Sequence, residues 1–188
     1  MPEAPSDEAV SPEAAPAQPA APAVPPSAAA VPTVGRHPPG ARFRVMDVLS
    51  VALDLPGQYP TVHLQEAEPP LRDLVFSIGL PEGTALAHAL RKVATPRPLT
   101  HELFTSALEQ LGADVAAVRL IGRHGGTYLA ELVLSGPRGT LTLPCRPSDG
   151  LTLALRRTVP SPVLADERLL EGGGDVEPAA PAPSLPAG

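Results

Sequence analysis

Between Arg42 and Glu171 the chain carries two hydrophobic rhythms, and outside that stretch it carries neither. Thr61 to Gln65 places Val62 and Leu64 on one face, and Leu74, Phe76 and Ile78 alternate with Val75 and Ser77. A period of two predicts half-buried β-strands. Val45 to Asp54 is β-rich and apolar and runs into Pro56-Gly57, a turn signal, so it is read as a first strand. The rhythm then changes. From Pro81-Glu82 onward, Leu86, Ala89, Leu90 and Val93 recur at helical spacing. A second helix is predicted from Thr100, a candidate N-cap, to Gly112, a residue suited to stopping it; Leu103, Phe104, Ala107, Leu108 and Leu111 share its apolar face. Three more strands are expected around Val115 to Ile121, Thr127 to Leu134 and Thr140 to Leu143. A third helix starts at Ser148, buries Leu151, Ala154, Leu155 and Thr158, and carries Arg156 and Arg157 in its last turn, where the helix dipole favours cations.

These positions contain an internal echo. Leu86, Ala89, Leu90 and Val93 map onto Leu151, Ala154, Leu155 and Thr158 at a constant offset of 65. The same offset carries Phe76 and Ile78 onto Leu141 and Leu143, and Arg91-Lys92 onto Arg156-Arg157. The pattern suggests duplication of a strand-strand-strand-helix unit, joined by the helix after Thr100. The fold class expected is α+β, a largely antiparallel sheet with about three packed helices.

Composition changes this picture at the two ends. Residues 1–41 alternate Ala and Pro with Glu, Ser and Gln, and residues 172–188 return to Gly, Pro and Ala. Segments of this kind bury too little apolar surface to offset the entropy of ordering, so both are expected to be disordered tails around a domain at residues 42–171. About 130 residues suffice for one hydrophobic core. The formal charge of −6 sits almost wholly in the tails: Glu3, Asp7, Glu8, Glu13, Asp175 and Glu177 stand against Arg36, which leaves −1 for the core. The core therefore lacks the basic excess of a dedicated duplex binder, and any nucleic-acid contact must rest on a local cluster. A single cysteine, Cys145, excludes an intrachain disulfide framework. With no membrane-length apolar run and no signal-peptide pattern, a cytoplasmic location is expected.

The candidate chemistry is concentrated in two short runs, Arg97-Pro98-Leu99-Thr100-His101-Glu102 and Arg146-Pro147-Ser148-Asp149-Gly150. Arg97 and Arg146 each precede a helix start, where a guanidinium beside unpaired backbone N–H groups can grip a phosphate. The plain alternative is that each arginine pairs with a carboxylate and ties down a loop. His101 belongs to a residue type that titrates near neutrality and suits proton transfer. Glu82, Glu102 and Asp149 each stand in a helix's first turn, where a carboxylate complements the dipole, and carboxylates from separate segments could hold Mg²⁺ or Mn²⁺. Cys145 is read as a small packed hydrophobe rather than a reactive thiol. His37, His63, His88 and His124 are read as ordinary tail, strand, helix and turn residues. No phosphate-binding glycine loop, zinc spacing or serine elbow is present.

Taken in order, Ile78-Gly79, Glu82-Gly83, Ala85-Leu86-Ala87, Arg97-Pro98-Leu99-Thr100-His101 and Arg146-Pro147-Ser148-Asp149 with Ala154 resemble the bifunctional nuclease domain family. The resemblance runs from about Val45 to about Leu170. It implies a compact, often oligomeric α+β domain with DNase and RNase activity in some members, hence a homo-oligomer with DNA or RNA as partner and no membrane. Carried over by position, the family's characteristic polar residues would be Glu82, Arg97, Thr100, His101, Arg146, Ser148 and Asp149; for a phosphodiester hydrolase, His101 is assigned to proton transfer and Arg97 and Arg146 to the phosphate. Asp149, with Glu82 or Glu102, would orient water or hold Mg²⁺ or Mn²⁺, while Thr100 and Ser148 would cap their helices. The departures are Glu102 for a common aspartate, Cys145 for a common serine and Gly150 for a usual alanine; a UVR-type motif present in some relatives is missing. A non-enzymatic reading stays open beside this one, in which the arginines recognise a small anion or a protein partner.

Overall fold

The computed structural model describes residues 41–53 and 59–174. The expected tails, His37 and the Pro56-Gly57 turn lie outside these residues, except for Ala41 and Gly172 to Gly174 at their edges. In chain order the described residues form β1 (Phe43–Ala52), β2 (Thr61–Glu66), β3 (Asp73–Ser77), α1 (Leu80–Leu90), α2 (Thr100–Gln110), β4 (Asp114–His124), β5 (Thr127–Gly136), β6 (Gly139–Cys145), α3 (Pro147–Arg156), β7 (Val163–Asp166) and α4 (Glu167–Leu170). This is the α+β class. The sheet order is β3-β2-β1-β7-β4-β5-β6. All pairings are antiparallel except β4 with β7.

Two three-stranded meanders, each followed by a helix, thus flank a shared central strand. That arrangement matches the 65-residue echo, and Leu86, Ala89, Leu151 and Ala154 are all wholly buried. The echo is imperfect elsewhere. Phe76 is buried while its counterpart Leu141 is 49% exposed. Both Val93 and Thr158 lie beyond their helices and are exposed, so neither belongs to the buried stripe.

Local sequence explains how the strands present their faces. In β1, Met46 and Val48 point inward, and a bulge between Val48 and Ser50 resets the phase so that Val51 also faces the core. The bulge leaves Leu49 on the outside. Val62, Leu64 and Glu66 alternate inward along β2, paired with the buried Leu74 and Phe76 of β3. The sheet curls strongly, because the Phe76 ring of β3 meets the Tyr128 ring of β5 at a centroid distance of 5.0 Å although four strands lie between them.

The helices sit close to the sheet where a side chain is missing. A Cβ on Gly83 of α1 would fall 2.5 Å from Pro60, and one on Gly150 of α3 would fall 2.9 Å from Val118 and 3.1 Å from the Cys145 sulfur. Glycine at these two positions is a packing requirement. Basic side chains then bridge the far ends: Lys92, in a left-handed conformation just past α1, donates to the carbonyls of Leu155 and Arg157, and Arg156 donates to the carbonyl of Val93.

The structure departs from the sequence expectations in four places. A seventh strand, β7, and a fourth, one-turn helix, α4, are present. Thr100 is not an N-cap, because α2 begins at Thr100 itself with Leu99 in the cap position. Ser148 likewise lies inside α3, whose N-cap is Arg146, and neither N-cap residue caps its helix with its own side chain, although Glu102 accepts from the Leu99 backbone N–H at the start of α2. Finally, the apolar stripe of α2 is mostly outside: Leu108 is buried, but Leu103 is 63% and Leu111 73% exposed.

One buried carboxylate, at the end of β2, ties β1 to the segment before β3 and, through Arg72, to α4. Glu66 accepts from Arg44 Nε at 2.7 Å, from Arg72 Nη2 at 2.8 Å, from Arg72 Nε at 3.0 Å and from the Arg72 backbone N–H at 2.9 Å. Arg72 also reaches Glu167 of α4 at 3.2 Å. The hydrogen bonds from the Arg72 side chain outweigh the desolvation penalty and hold the Glu66 carboxyl down at about 2, against an ordinary 4.5. A carboxyl depressed by folding contributes stability above its unfolded value and loses it as pH falls through the folded one. Acid titration followed by circular dichroism is therefore expected to show Glu66-dependent loss of stability between about pH 4.5 and about 2. Glu66→Gln should lower the melting temperature at pH 7 by roughly 5 °C or more and flatten the dependence across that window. An unchanged melting temperature at pH 7 would show that the network does not hold the sheet.

Candidate active site

The N-termini of α1 and α3 lie side by side, which brings together residues far apart in the sequence. Arg146, the N-cap of α3, donates to Glu82 in the first turn of α1 at 3.0 Å. Three residues on, Asp149 meets His101 of α2, with His101 Nε2 and Asp149 Oδ1 3.2 Å apart. An ionised carboxylate only accepts hydrogen bonds, so Nε2 is the donor in this pair, and in the neutral ring Nδ1 is then the acceptor. The His101 side chain is 20% exposed and that of Asp149 41%. Arg146 is open to solvent, with its side chain 73% exposed, and only one of its five donors is used by Glu82 in this pairing.

A cavity of about 760 Å³ opens beside this pair. Pro81, Glu82, Thr84, Ala85 and His88 of α1 form one wall, and Thr100, His101 and Phe104 of α2, with Leu99 before it, form the other. Leu132 of β5, Leu143 to Cys145 of β6, and Asp149 and Leu153 of α3 complete the lining. The interior is mainly apolar, and its lining carries the titratable groups Glu82, His88, His101, Cys145 and Asp149. A second cavity, of about 620 Å³, has both partners of the Arg146–Glu82 bridge in its lining. Its lining is more polar and includes Ser77, Gly79, Arg123, Tyr128, Arg146 and Ser148, with Glu82 common to both cavities.

Most of the residues expected from sequence fall here, but two do not. Glu82, Thr100, His101, Arg146, Ser148 and Asp149 all line one or the other cavity. Arg97 lies exposed on the loop before α2 and lines neither. Glu102 is committed elsewhere: it accepts from Thr95 Oγ1 at 2.6 Å and the Leu99 backbone N–H at 2.7 Å, and it pairs with Arg156. Those hydrogen bonds, led by Thr95, lower its pKa and mark it as the tie between the start of α2 and the end of α3. Phe104, Arg123 and Tyr128 carried no functional reading from the sequence. For Phe104 a signal existed, since it stands three residues after His101 and so shares its helix face.

Among the described residues no group of three or more His, Cys, Asp or Glu side chains is placed to hold a metal ion. Glu82 is bonded to Arg146 and Asp149 to His101.

The sequence description of the bifunctional nuclease domain matches residues 62–176, more than half of the chain, and the chain belongs to that family. It is 32% identical over 127 residues to the uncharacterized protein Rv1829 of Mycobacterium tuberculosis strain H37Rv, covering 68% of this chain and 74% of that one. The same figures hold for the uncharacterized protein MT1877 of strain CDC 1551. It is also 32% identical over 97 residues to Bifunctional nuclease 2 of Oryza sativa subsp. japonica, a match covering 50% of this chain and 30% of the rice protein. Among the described residues no helix is long and apolar enough to cross a membrane.

Cys145 lines the apolar cavity, and burial, reinforced by the nearby Asp149 charge, pushes its thiol up to about 12. Since the thiolate is the reactive form, alkylation by iodoacetamide at pH 8 is expected to run at least roughly ten-fold slower in the folded protein than in urea. Equal rates would contradict this placement of the thiol.

Proposed function

We propose that this domain hydrolyses phosphodiester bonds in DNA and RNA, with His101, Asp149 and Arg146 as the working groups. The observation that carries this reading is the His101–Asp149 pair, 3.2 Å apart at the edge of a cavity, with a solvent-facing arginine on the same helix turn. Membership in the family and the printed name of the rice relative support it.

In this scheme Arg146 and the N-terminus of α3, which no side chain caps, take the negative charge of the phosphate. His101 Nδ1 accepts a proton from a water whose oxygen attacks phosphorus, and Asp149 stabilises the resulting imidazolium through Nε2–H. The bond from phosphorus to the leaving oxygen breaks, and the imidazolium returns its proton to that oxygen. A phosphomonoester and an alcohol result, with water consumed. Glu82 fixes the guanidinium of Arg146 in place. Arg97, on its exposed loop, is left to meet the backbone farther along the strand. We assign the protein to a reducing, cytoplasmic setting and expect self-association through the exposed apolar residues Leu103, Leu111 and Leu141.

The test uses the full chain, supercoiled DNA and a labelled RNA, each in Mg²⁺, Mn²⁺ or chelator. His101→Ala is expected to reduce cleavage by about 10²–10⁴-fold, the usual contribution of a positioned general base. Asp149→Asn should lower kcat while retaining the fold, and Arg146→Ala should chiefly raise KM. Cleavage unchanged in all three folded variants would overturn the assignment. Binding of the nucleic acid without any cleavage would favour an anion-recognition module instead.

A further inference from the structure

We propose that the apolar cavity beside His101 is a receptor for one unpaired nucleobase, which makes single-stranded DNA and RNA, and unpaired positions in folded strands, the preferred substrates. This rests on the phosphodiesterase reading of the same site and adds to it the form of nucleic acid that fits.

Size and shape come first. At about 760 Å³ the cavity falls in the range, roughly 300–1,000 Å³, of sites that take small molecules. A base within a duplex has both faces stacked and its pairing edge occupied, and it enters a concave site only by leaving the stack. The lining supplies what a base needs. Leu99, Leu132, Leu143 and Leu153 give an apolar interior, and Phe104, 41% exposed, offers an aromatic ring on the same helix face as His101. Base–aromatic contact is insensitive to sequence, because every base has a π-face.

Charge points the same way. Duplex affinity comes chiefly from many phosphate contacts, and the core carries a net charge of −1. A surface whose cations are matched by carboxylates gains little net attraction from a rod of phosphates. Burying a base in an apolar cavity supplies affinity that this charge balance withholds. The second cavity gives the strand a direction. It shares Glu82 with the first and includes Arg146, and its Arg123, Tyr128 and Ser148 suit the phosphate and sugar of the adjoining nucleotide. A base in one cavity and the next phosphate in the other would lay the connecting phosphodiester over Arg146, next to His101 and Asp149.

The experiment measures binding and cleavage separately. Fluorescence anisotropy of the full chain in chelator, at one fixed salt concentration, compares a short labelled single strand, its duplex, and a strand of the same length built from abasic sugars. The single strand is expected to bind at least roughly ten-fold more tightly than the other two. Phe104→Ala, an exposed position whose change spares the core, should weaken single-strand binding by roughly five- to fifty-fold and leave duplex binding unchanged, while Phe104→Trp should retain it. Equal affinity for all three ligands, absence of binding, or indifference to Phe104→Ala overturns the proposal. Cleavage assays on the same strands read the other question: cleavage that ignores strandedness would leave the phosphodiesterase standing and remove the base receptor. The expected binding pattern without cleavage would do the reverse.

Discussion

The packing of α1 against α3 is the constraint on which the candidate site depends. Each helix contributes a leucine and an alanine that are wholly buried, Leu86 and Ala89 from one, Leu151 and Ala154 from the other. The glycine at 150 lets α3 settle onto β4 with no room to spare. Because the helices start side by side, the chemistry at one N-terminus is delivered to the other. Arg146 finds Glu82, and Asp149, one helical turn in, finds His101 on the neighbouring α2. A helix start is where unpaired N–H groups and a favourable dipole already exist, so the fold gathers these polar side chains where anionic charge is best tolerated.

The far ends of the same helices are closed as firmly as the near ends are open. Lys92 and Arg156 cross between α1 and α3 to carbonyl groups, and Glu102 joins the start of α2 to Arg156. This explains why Glu102, adjacent in sequence to His101, takes no place in the cavity. Consecutive helical residues point about 100° apart, so His101 and Glu102 face different neighbours. One serves the opening between the helices and the other serves their closure.

Much of the fold was legible because it follows short periods. The alternation in β2 and β3 and the stripes in α1 and α3 each translate directly into buried faces, and the 65-residue echo anticipated two meanders with a helix apiece. β7 was not legible: its four residues lie just after Pro160 and Pro162, too few for any period to declare itself. The stripe on α2 misled for a different reason. Amphipathic spacing says that residues share a face, but not that anything in the same chain covers it. The site was legible in its residue types, and His101, Arg146, Asp149 and Glu82 do converge. Arg97 matched the same grammar, yet a loop's course is set by tertiary contacts that its own residues do not encode. The cavity itself had no linear signature, since its lining comes from two strands and three helices and the residue before one of them.

The position of β7 has a consequence for how the domain is assembled. This strand lies between β1 and β4 and pairs with both, although it follows every other strand in the chain. Until residues 163–166 are in place, the two meanders lack their shared strand, and β1 and β4 each present an unpaired edge. Unpaired edges are templates for pairing with other chains. The contacts that join the halves are also among the most distant in sequence, as Phe43 with Asp166 shows, and such contacts form slowly. During synthesis, then, the domain remains two open half-sheets until nearly the last described strand has emerged, and that interval is when it is most exposed to misassembly.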